Sequence, residues 1–407
     1  MSQQLQYGKH GTFTCAMSPE RLIAFREPPA PYASLRAAVR TALNQPLDDF
    51  PSFEQLFVPE DHVTLALDRY TPGAAEIIAE VWAAMATRCV APADTLILQP
   101  IGLPGPSLGD PRGQLPREVA AQVRWVIHDP TNENDLAYLA TAVQGERIYL
   151  ARSLVEAEVA VSIGEMRYDP LMGYRGTGSA FYPGMSSVDA IARTHGQGHS
   201  ELGPDDERPL RQLVDEVTWL LGNQFTIQVF PGAGGAVAHV LAGPADAVYR
   251  EGRRWLTEHA LLHLPERVPL VVVAIDADAA GHGWDQFGAA IETAHNLVTR
   301  GGKIVVLSEI EAELDDGFKL LQETEQPRNA LQPLRKMAPP DLMPATQLAS
   351  AADWAKVYFL SRLSEDTVES LSMTALGSDK EVGRLLSGSE RCVLIGGAQH
   401  TFGKVGS

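Results

Sequence analysis

Apolar and polar residues follow one another along the chain in blocks that predict alternating strands and helices. Residues 33–45 space their apolar positions as an amphipathic helix does. The largely apolar run 62–67 (HVTLAL) is typical of a buried strand. A Pro-Gly pair then precedes an alanine-rich helix at 74–88, and 95–100 (TLILQP) predicts a second strand. This order of strand, helix and strand predicts a βαβ unit in a mostly parallel sheet, which places ligands at the carboxyl ends of strands.

The C-terminal part of the chain repeats this order. Residues 269–275 predict a strand, 287–299 a helix and 303–307 the next strand. Residues 393–396 predict a late strand. The intervening segment 323–350 is rich in proline and alanine and predicts a surface excursion or a lid.

Two glycine-rich stretches lie in the middle of the chain. Residues 158–164 (EVAVSIG) predict a buried strand with a long glycine-rich loop after it. Residues 225–242 predict a hairpin around the glycines of 231–235, because these lack GxGxxG spacing and no helix follows directly. We therefore predict an α/β fold of two domains with mostly parallel sheets. Residues 1–265 form the cofactor-binding domain, 266–407 form the second, and an active-site cleft lies between them.

Length and composition narrow the class of protein. A chain of 407 residues is more than one hydrophobic core usually fills. The 33 basic and 51 acidic residues give a net charge of −18, which argues against a nucleic-acid or anionic-membrane surface. We expect no membrane span and no secretory signal. Three distant cysteines indicate a reducing cytoplasm. The expected partner is a small molecule, and the sequence leaves the oligomeric state open.

Residues 163–195 are the most informative stretch for chemistry. A strand ends at Gly164, a loop with further glycines follows, and Pro183-Gly184 leads into a helix that carries His195. Glycines let backbone approach a ligand closely, and a helix N-terminus favours a phosphate or carboxylate. These features indicate an anion or nucleotide site; a tight structural loop is the alternative.

At these residues the chain resembles the nickel-pincer lactate racemase family. The segment MGYRGTGSAFYPG aligns without gaps with the family pattern, and His195 stands sixteen residues after Ser179, as the family spacing requires. Further segments match in order: 38–47, 63–72, 128–129, 145–163 and 284–286. The resemblance implies a nickel ion in a pyridinium-derived mononucleotide, tethered to a lysine by a thioamide. It also implies a histidine as nickel ligand, two further histidines as bases, and an arginine and a second lysine near the substrate carboxylate.

The resemblance implies a set of site residues. His195 is the expected nickel ligand, and the cofactor-binding positions are Asp68, Thr71, Tyr174, Ser179, Gly184, His195 and Gln286. Asp68 and Gln286 keep the family residue type. Other positions depart from it: Ser179 replaces the tethering lysine, Asp169 and Pro104 replace the two catalytic histidines, Thr71 replaces the arginine, and Ala289 replaces the second lysine.

These departures change the expected chemistry. Without the lysine, we expect the nickel-pincer nucleotide to bind non-covalently. We expect Asp169 to act as a base, and Arg175 or Arg69 to meet the substrate charge. Structural alternatives stay open: His195 as a helix-face histidine, Asp68 as a helix cap, Asp169 as a turn residue, Arg175 as a solvated loop charge.

The sequence thus predicts a divergent isomerase, a nickel-pincer racemase or epimerase of a 2-hydroxy acid or sugar acid. Racemisation needs a base on each face of the 2-carbon, so we expect inefficient turnover of lactate. One alternative is a non-catalytic homologue that binds the nickel-pincer nucleotide or a related nucleotide. Another is a lyase or isomerase that has lost the nickel.

Overall fold

A computed structural model describes residues 2–101, 109–195, 202–223 and 225–406, with His195 described in its backbone only. The chain divides into two compact units. The central unit comprises 31–231 and 236–256, and the C-terminal unit comprises 1–30, 232–235 and 257–407. Within the described ranges, no helix combines the length and apolar character needed to cross a membrane.

The strands and helices alternate through both units. The strands are β1 Ser2–Tyr7, β2 Gly11–Ala16, β3 Leu22–Arg26, β4 Val63–Leu67, β5 Thr95–Gln99, β6 Arg124–Ile127, β7 Leu136–Thr141, β8 Arg147–Ala151, β9 Val159–Glu165, β10 Arg167–Asp169, β11 Gly173–Arg175, β12 Phe225–Pro231, β13 Val237–Gly243, β14 Leu261–Leu264, β15 Val268–Ala274, β16 Val298–Leu307, β17 Lys356–Leu360, β18 Thr374–Leu376, β19 Cys392–Ile395 and β20 Phe402–Val405. The helices are α1 Leu35–Asn44, α2 Ala74–Ala86, α3 Arg117–Ala120, α4 Arg152–Val155, α5 Val188–His195, α6 Pro209–Leu220, α7 Ala245–His259, α8 Trp284–Leu297, α9 Asp316–Gln322, α10 Pro327–Met337, α11 Leu342–Trp354, α12 Glu365–Ser370 and α13 Asp379–Leu386.

The central unit is built on a six-stranded sheet of order β13-β12-β9-β4-β5-β6. All neighbouring strands are parallel except the β12–β13 hairpin. Strands β4 and β5 are buried at every position, which explains their nearly continuous apolar sequence. The predicted βαβ unit, formed by β4, α2 and β5, is confirmed, and so is the hairpin at 225–242.

The C-terminal unit has a second six-stranded sheet, in which all strands are parallel, of order β18-β17-β16-β15-β19-β3. Its edge strand β3 comes from the first 30 residues and pairs with β19. Leu5, Phe13 and Met17 are buried in the same unit. The α/β class with mostly parallel sheets is confirmed. The composition of the units differs from the prediction, which divided the chain once, at residue 265. Residues 1–30 belong to the C-terminal unit, because their apolar residues pack with its sheet.

The segment 323–350 lies at the surface only in its first part, because α10 is largely exposed whereas α11 is not. It forms α10 and the greater part of α11, and most of α11 is buried. The sequence of α11 (LMPATQLASAADW) has small apolar residues on most of its faces, so the helix can pack closely against α8. Gly288 shows this closeness, since a Cβ there would lie 2.8 Å from Pro344.

Candidate functional site

The central sheet reverses its strand order between β4 and β9. The chain passes from β4 through α2 to β5 on one side, whereas β9 and β12 lie on the other side. The carboxyl ends of two such strands open a crevice where α/β proteins bind ligands. The residues at this edge are Asp68 after β4, Gly164 in β9 and Gln228 in β12.

These three residues stand side by side across neighbouring strands. The Asp68 amide donates to the Ile163 carbonyl at 2.7 Å, and Gln228 pairs in register with Gly164. A Cβ on Gly164 would lie 3.1 Å from the Asp68 Cβ and 3.7 Å from Gln228 Oε1. Asp68 and Gln228 therefore both pack close to the Gly164 backbone, and we call these three residues the Gly164 slot.

Asp68 forms a two-pronged ion pair with Arg175. Arg175 Nε donates to Asp68 Oδ2 at 3.1 Å, and Nη2 donates to Oδ1 at 2.9 Å. The Asp68 side chain is 4% exposed and that of Arg175 is 30% exposed. The Asp68 carboxylate raises the pKa of Arg175 above its ordinary value, an effect that outweighs its burial. The positive charge of Arg175 is therefore already matched by a protein carboxylate.

The glycine loop after β11 is held from both sides. Gly176 has φ +132°, a backbone conformation that favours glycine, and its amide donates to Ser179 Oγ at 3.0 Å. The buried guanidinium of Arg211 donates to the Gly176 carbonyl at 3.1 Å and to Thr177 Oγ1 at 3.2 Å. A Cβ on Gly178 would meet Thr218 Oγ1 at 1.6 Å. These contacts hold the loop in the observed conformation, and the hydroxyl of Ser179 supplies one of them.

Tyr174 is buried beside charged residues rather than at the Gly164 slot. Its hydroxyl donates to Asp205 Oδ1 at 2.8 Å, and the Arg253 guanidinium lies 5.0 Å from its ring centroid. Burial, with the Asp205 hydrogen bond, raises the pKa of Tyr174 to about 12. The phenol therefore stays protonated at neutral pH.

Asp169 closes the turn between β10 and β11. Its Oδ1 accepts hydrogen bonds from the Leu171 amide at 2.8 Å and from the Met172 amide at 2.9 Å. This arrangement is the turn role that the sequence already offered for an aspartate before proline. The predicted role of Asp169 as a base stays a prediction.

Two other predicted positions support the neighbouring backbone. Thr71 Oγ1 donates to the Asp68 carbonyl at 2.7 Å, which fixes the turn after β4. Gly184 allows close packing, since a Cβ there would lie 2.9 Å from the Pro100 Cβ. Pro104 lies outside the described residues.

The expected metal and second-unit positions are only partly visible. His195 is the last residue of α5, and its side chain lies outside the described part of the chain. Gln286 belongs to the C-terminal unit, where its Oε1 accepts from the Gly283 amide at 3.1 Å and caps α8. Among the described residues, no group of three or more His, Cys, Asp or Glu is arranged to hold a metal.

The composition of the central unit bears on the expected cofactor. The sequence has no lysine between Lys9 and Lys303, so the central unit offers no side-chain amine for a thioamide tether. Its cations are arginines and histidines. One buried polar atom at the slot also lacks a partner: Gln228 Oε1 has no hydrogen bond within the described ranges. The residues fit a ligand held by non-covalent contacts.

Two residues of this site escape sequence reasoning. Gln228 stands in the largely apolar strand FTIQVFP. A glutamine inside such a run is the sequence feature that could have identified it as a site residue. Arg211 lies in α6, 32 positions after Ser179, and the sequence contains no pattern that connects it with the glycine loop. Only the folded backbone brings its guanidinium to Gly176.

Known proteins resemble this chain in sequence and fold. Residues 7–202 match the model of the lactate racemase N-terminal domain. A lactate racemase of Thermoanaerobacterium thermosaccharolyticum is 18% identical over 164 residues, which are 39% of this chain and 38% of that protein. The alignment therefore spans less than half of that relative's length.

Solved structures extend the likeness to nearly the whole chain. The lactate racemase apoprotein from Thermoanaerobacterium thermosaccharolyticum superposes with a TM-score of 0.80 at 16% identity, covering 99% of this chain and 100% of that one. A crystal structure of a Thermotoga maritima protein gives a TM-score of 0.68 at 12% identity, covering 91% and 98%. At these identities the superpositions establish a shared fold.

Proposed function

We propose that this chain, whose residues 7–202 match the lactate racemase N-terminal domain, is a divergent racemase or epimerase of a 2-hydroxy acid or sugar acid. The observation that carries the proposal is the edge of the central sheet, where Asp68 and the glycine loop meet at the strand-order reversal. This is the place where such sheets bind ligands.

We propose that the site takes the nickel-pincer nucleotide of its family without a covalent bond. His195 would supply the nickel ligand, since imidazole nitrogen suits nickel. The chemistry that this group supplies when bound is reversible hydride transfer at the 2-carbon of the substrate. The chain's own contribution is a fixed glycine loop and a neutral Asp68–Arg175 pair beside it.

Intact mass spectrometry tests the absence of a tether. The chain is co-expressed with the cofactor-making enzymes, and we expect the unmodified mass under denaturing conditions because Ser179 offers only a hydroxyl. A hydroxyl would form a labile thioester in place of a thioamide. An adduct at Ser179 that survives denaturation would contradict the proposal.

Nickel analysis tests the metal ligand. We expect His195→Ala to lose nickel from the natively purified, co-expressed protein while keeping the urea midpoint of the parent. His62→Ala is the matched control, because His62 lies on the exposed surface and pairs with Glu158. Full nickel occupancy in His195→Ala would show that His195 is not the ligand.

Lactate turnover tests the predicted substrate range. Asp169 is half-buried in its turn, and Pro104 has no side chain able to carry a proton. A positioned base typically contributes about 10²–10⁴-fold, so we expect very slow racemisation of either lactate enantiomer. The assay follows chirality with nickel-loaded protein. Turnover of about 10² s⁻¹, well within the ordinary enzyme range, would contradict this expectation.

A non-catalytic, nucleotide-binding homologue is the second candidate. Two of the expected catalytic residues favour it, because each already has a structural role: Arg175 pairs with Asp68, and Asp169 holds its turn. Under this candidate the purified chain retains the nucleotide but converts no hydroxy acid in a broad screen. Conversion of any one substrate, lost in His195→Ala, would exclude it.

A further inference from the structure

The Gly164 slot contains an unused hydrogen-bond acceptor. Gln228 is 0% exposed, and its Nε2 donates to Thr226 Oγ1 and to the Ile227 carbonyl, each at 3.0 Å. Its Oε1 receives no hydrogen bond from any described residue. Such an atom is rare, because leaving a buried acceptor unpaired is energetically costly.

Two glycines surround this acceptor. A Cβ on Gly176 would lie 3.0 Å from Gln228 Oε1, and one on Gly164 would lie 3.7 Å from it. A side chain at Gly176 would crowd the oxygen, whereas one at Gly164 would be in ordinary van der Waals contact with it. Gly164 and Gly176 therefore place backbone rather than a side chain next to Oε1. This position is at the sheet edge where α/β proteins bind ligands.

The surrounding charges select the kind of group that fits. Arg175, the guanidinium beside the slot, is paired with Asp68, so its positive charge is already matched and does not attract a carboxylate. A carboxylate oxygen would face Oε1 acceptor to acceptor, and a methyl group would leave it unpaired. A neutral donor is the group that satisfies it.

We propose that Gln228 is a specificity-determining residue that accepts a hydrogen bond from a substrate hydroxyl beyond the one on the 2-carbon. The substrate class is then a polyhydroxy acid, such as a sugar acid. That the hydrogen-bond donor is a hydroxyl and not an amide N–H rests on the proposed function. The need for a donor rests on the unpaired Oε1 of Gln228. Gly176 covers Oε1, so a substrate hydroxyl reaches this atom only when the glycine loop moves away from it.

Binding of two acids of nearly equal size tests the proposal. Glycerate and 2-hydroxybutyrate differ in having a terminal hydroxyl or a terminal methyl group. We expect the nickel-loaded full chain to bind glycerate about tenfold or more tightly, since a site built for a hydroxyl rejects the analogue that lacks it. Gln228→Met should bind the two acids equally. Isothermal titration with both enantiomers measures the ratio.

Gln99→Met is the matched control. Gln99 is also a buried strand glutamine, but its Oε1 already accepts from Trp125 Nε1 at 2.7 Å. Its substitution should leave the glycerate preference unchanged.

Equal binding of the two acids by the parent chain, or binding of neither, would overturn the proposal whether or not Gln228→Met folds. It would mean that an ordered water alone serves Oε1. A preference for glycerate that survives in folded Gln228→Met would overturn it too. These outcomes are separate from the proposed function, which the nickel and turnover assays test.

Discussion

The Asp68–Arg175 pair connects the glycine loop with the end of β4. The guanidinium that reaches Asp68 comes from Arg175 in the glycine loop, whereas Thr71, three residues after Asp68, donates to the Asp68 carbonyl. The carboxylate is buried and accepts two guanidinium hydrogen bonds. The loop is therefore tied directly to the end of β4, so its position depends on this pair.

We expect Arg175→Gln to lower the free energy of unfolding by about 3 kcal/mol. Removing one partner of a buried pair leaves an uncompensated charge, and the partial exposure of Arg175 keeps the cost at the low end of the usual range. Urea denaturation at pH 7 measures the change.

The double variant Asp68→Asn/Arg175→Gln should recover most of that loss, because it leaves no unpaired buried charge. Arg391→Gln is the control, since Arg391 forms an exposed ion pair with Glu266 whose loss costs under about 1 kcal/mol. If Arg175→Gln cost no more than this control, the ion pair would contribute nothing to stability.

At the scale of elements, α1 and α2 are joined by a carboxylate shared between two arginines. Arg36 Nε lies 2.6 Å from Glu80 Oε1, and Arg40 Nε lies 2.9 Å from Oε2. Burial acts to raise the pKa of Glu80, but the hydrogen bonds from the two arginines outweigh it, and the pKa is lowered. The pair therefore stabilises the helices only while Glu80 is ionised.

Glu80→Gln should reduce the free energy of unfolding by about 1 kcal/mol at pH 7, because both arginines are largely exposed. A lowered native pKa gives stability that is present above the unfolded value, near 4.5, and is lost as pH falls through the native value. The difference between parent and variant should therefore shrink at acid pH.

Urea titrations from pH 7 down to pH 4 check this dependence. Glu156→Gln, at an exposed pair, should show a much smaller difference at every pH. A difference for Glu80→Gln that grew on acidification would have the wrong sign.

At the scale of the whole molecule, the first 30 residues complete the C-terminal unit. Strand β3 forms the edge of its sheet, and Leu5, Phe13 and Met17 are buried in that unit. Burying each such side chain contributes about 1.5–3 kcal/mol, and three together approach the net stability of a domain. A C-terminal fragment cut at residue 265 would contain the sheet but lack the N-terminal residues that pack against it.

We expect fragment 257–406, which keeps β14 but lacks residues 2–30, to lack a cooperative urea transition. Fragment 257–406 followed by a flexible glycine–serine linker and residues 2–30 should unfold cooperatively, because it restores β3 and the β1–β2 hairpin. Circular dichroism across a urea gradient distinguishes the two. Equal midpoints for both fragments would show that the N-terminal segment adds no stability.

The sequence by itself determined the local elements and their class. The apolar runs of β4, β9 and β15 and the amphipathic spacing of α1 predict their structures, because period and burial depend on neighbouring residues. The glycine loop and its likeness to a family pattern were also readable, since both lie within one short stretch.

The tertiary structure decided what those elements contact. Three features depend on contacts between distant parts of the chain. Residues 1–30 supply an edge strand to the C-terminal sheet, α11 is buried, and Arg175 pairs with Asp68. Such contacts depend on how backbones pack in three dimensions, which spacing along the chain does not encode. For the same reason the unpaired oxygen of Gln228 appears only once β12, β9 and the glycine loop are brought together.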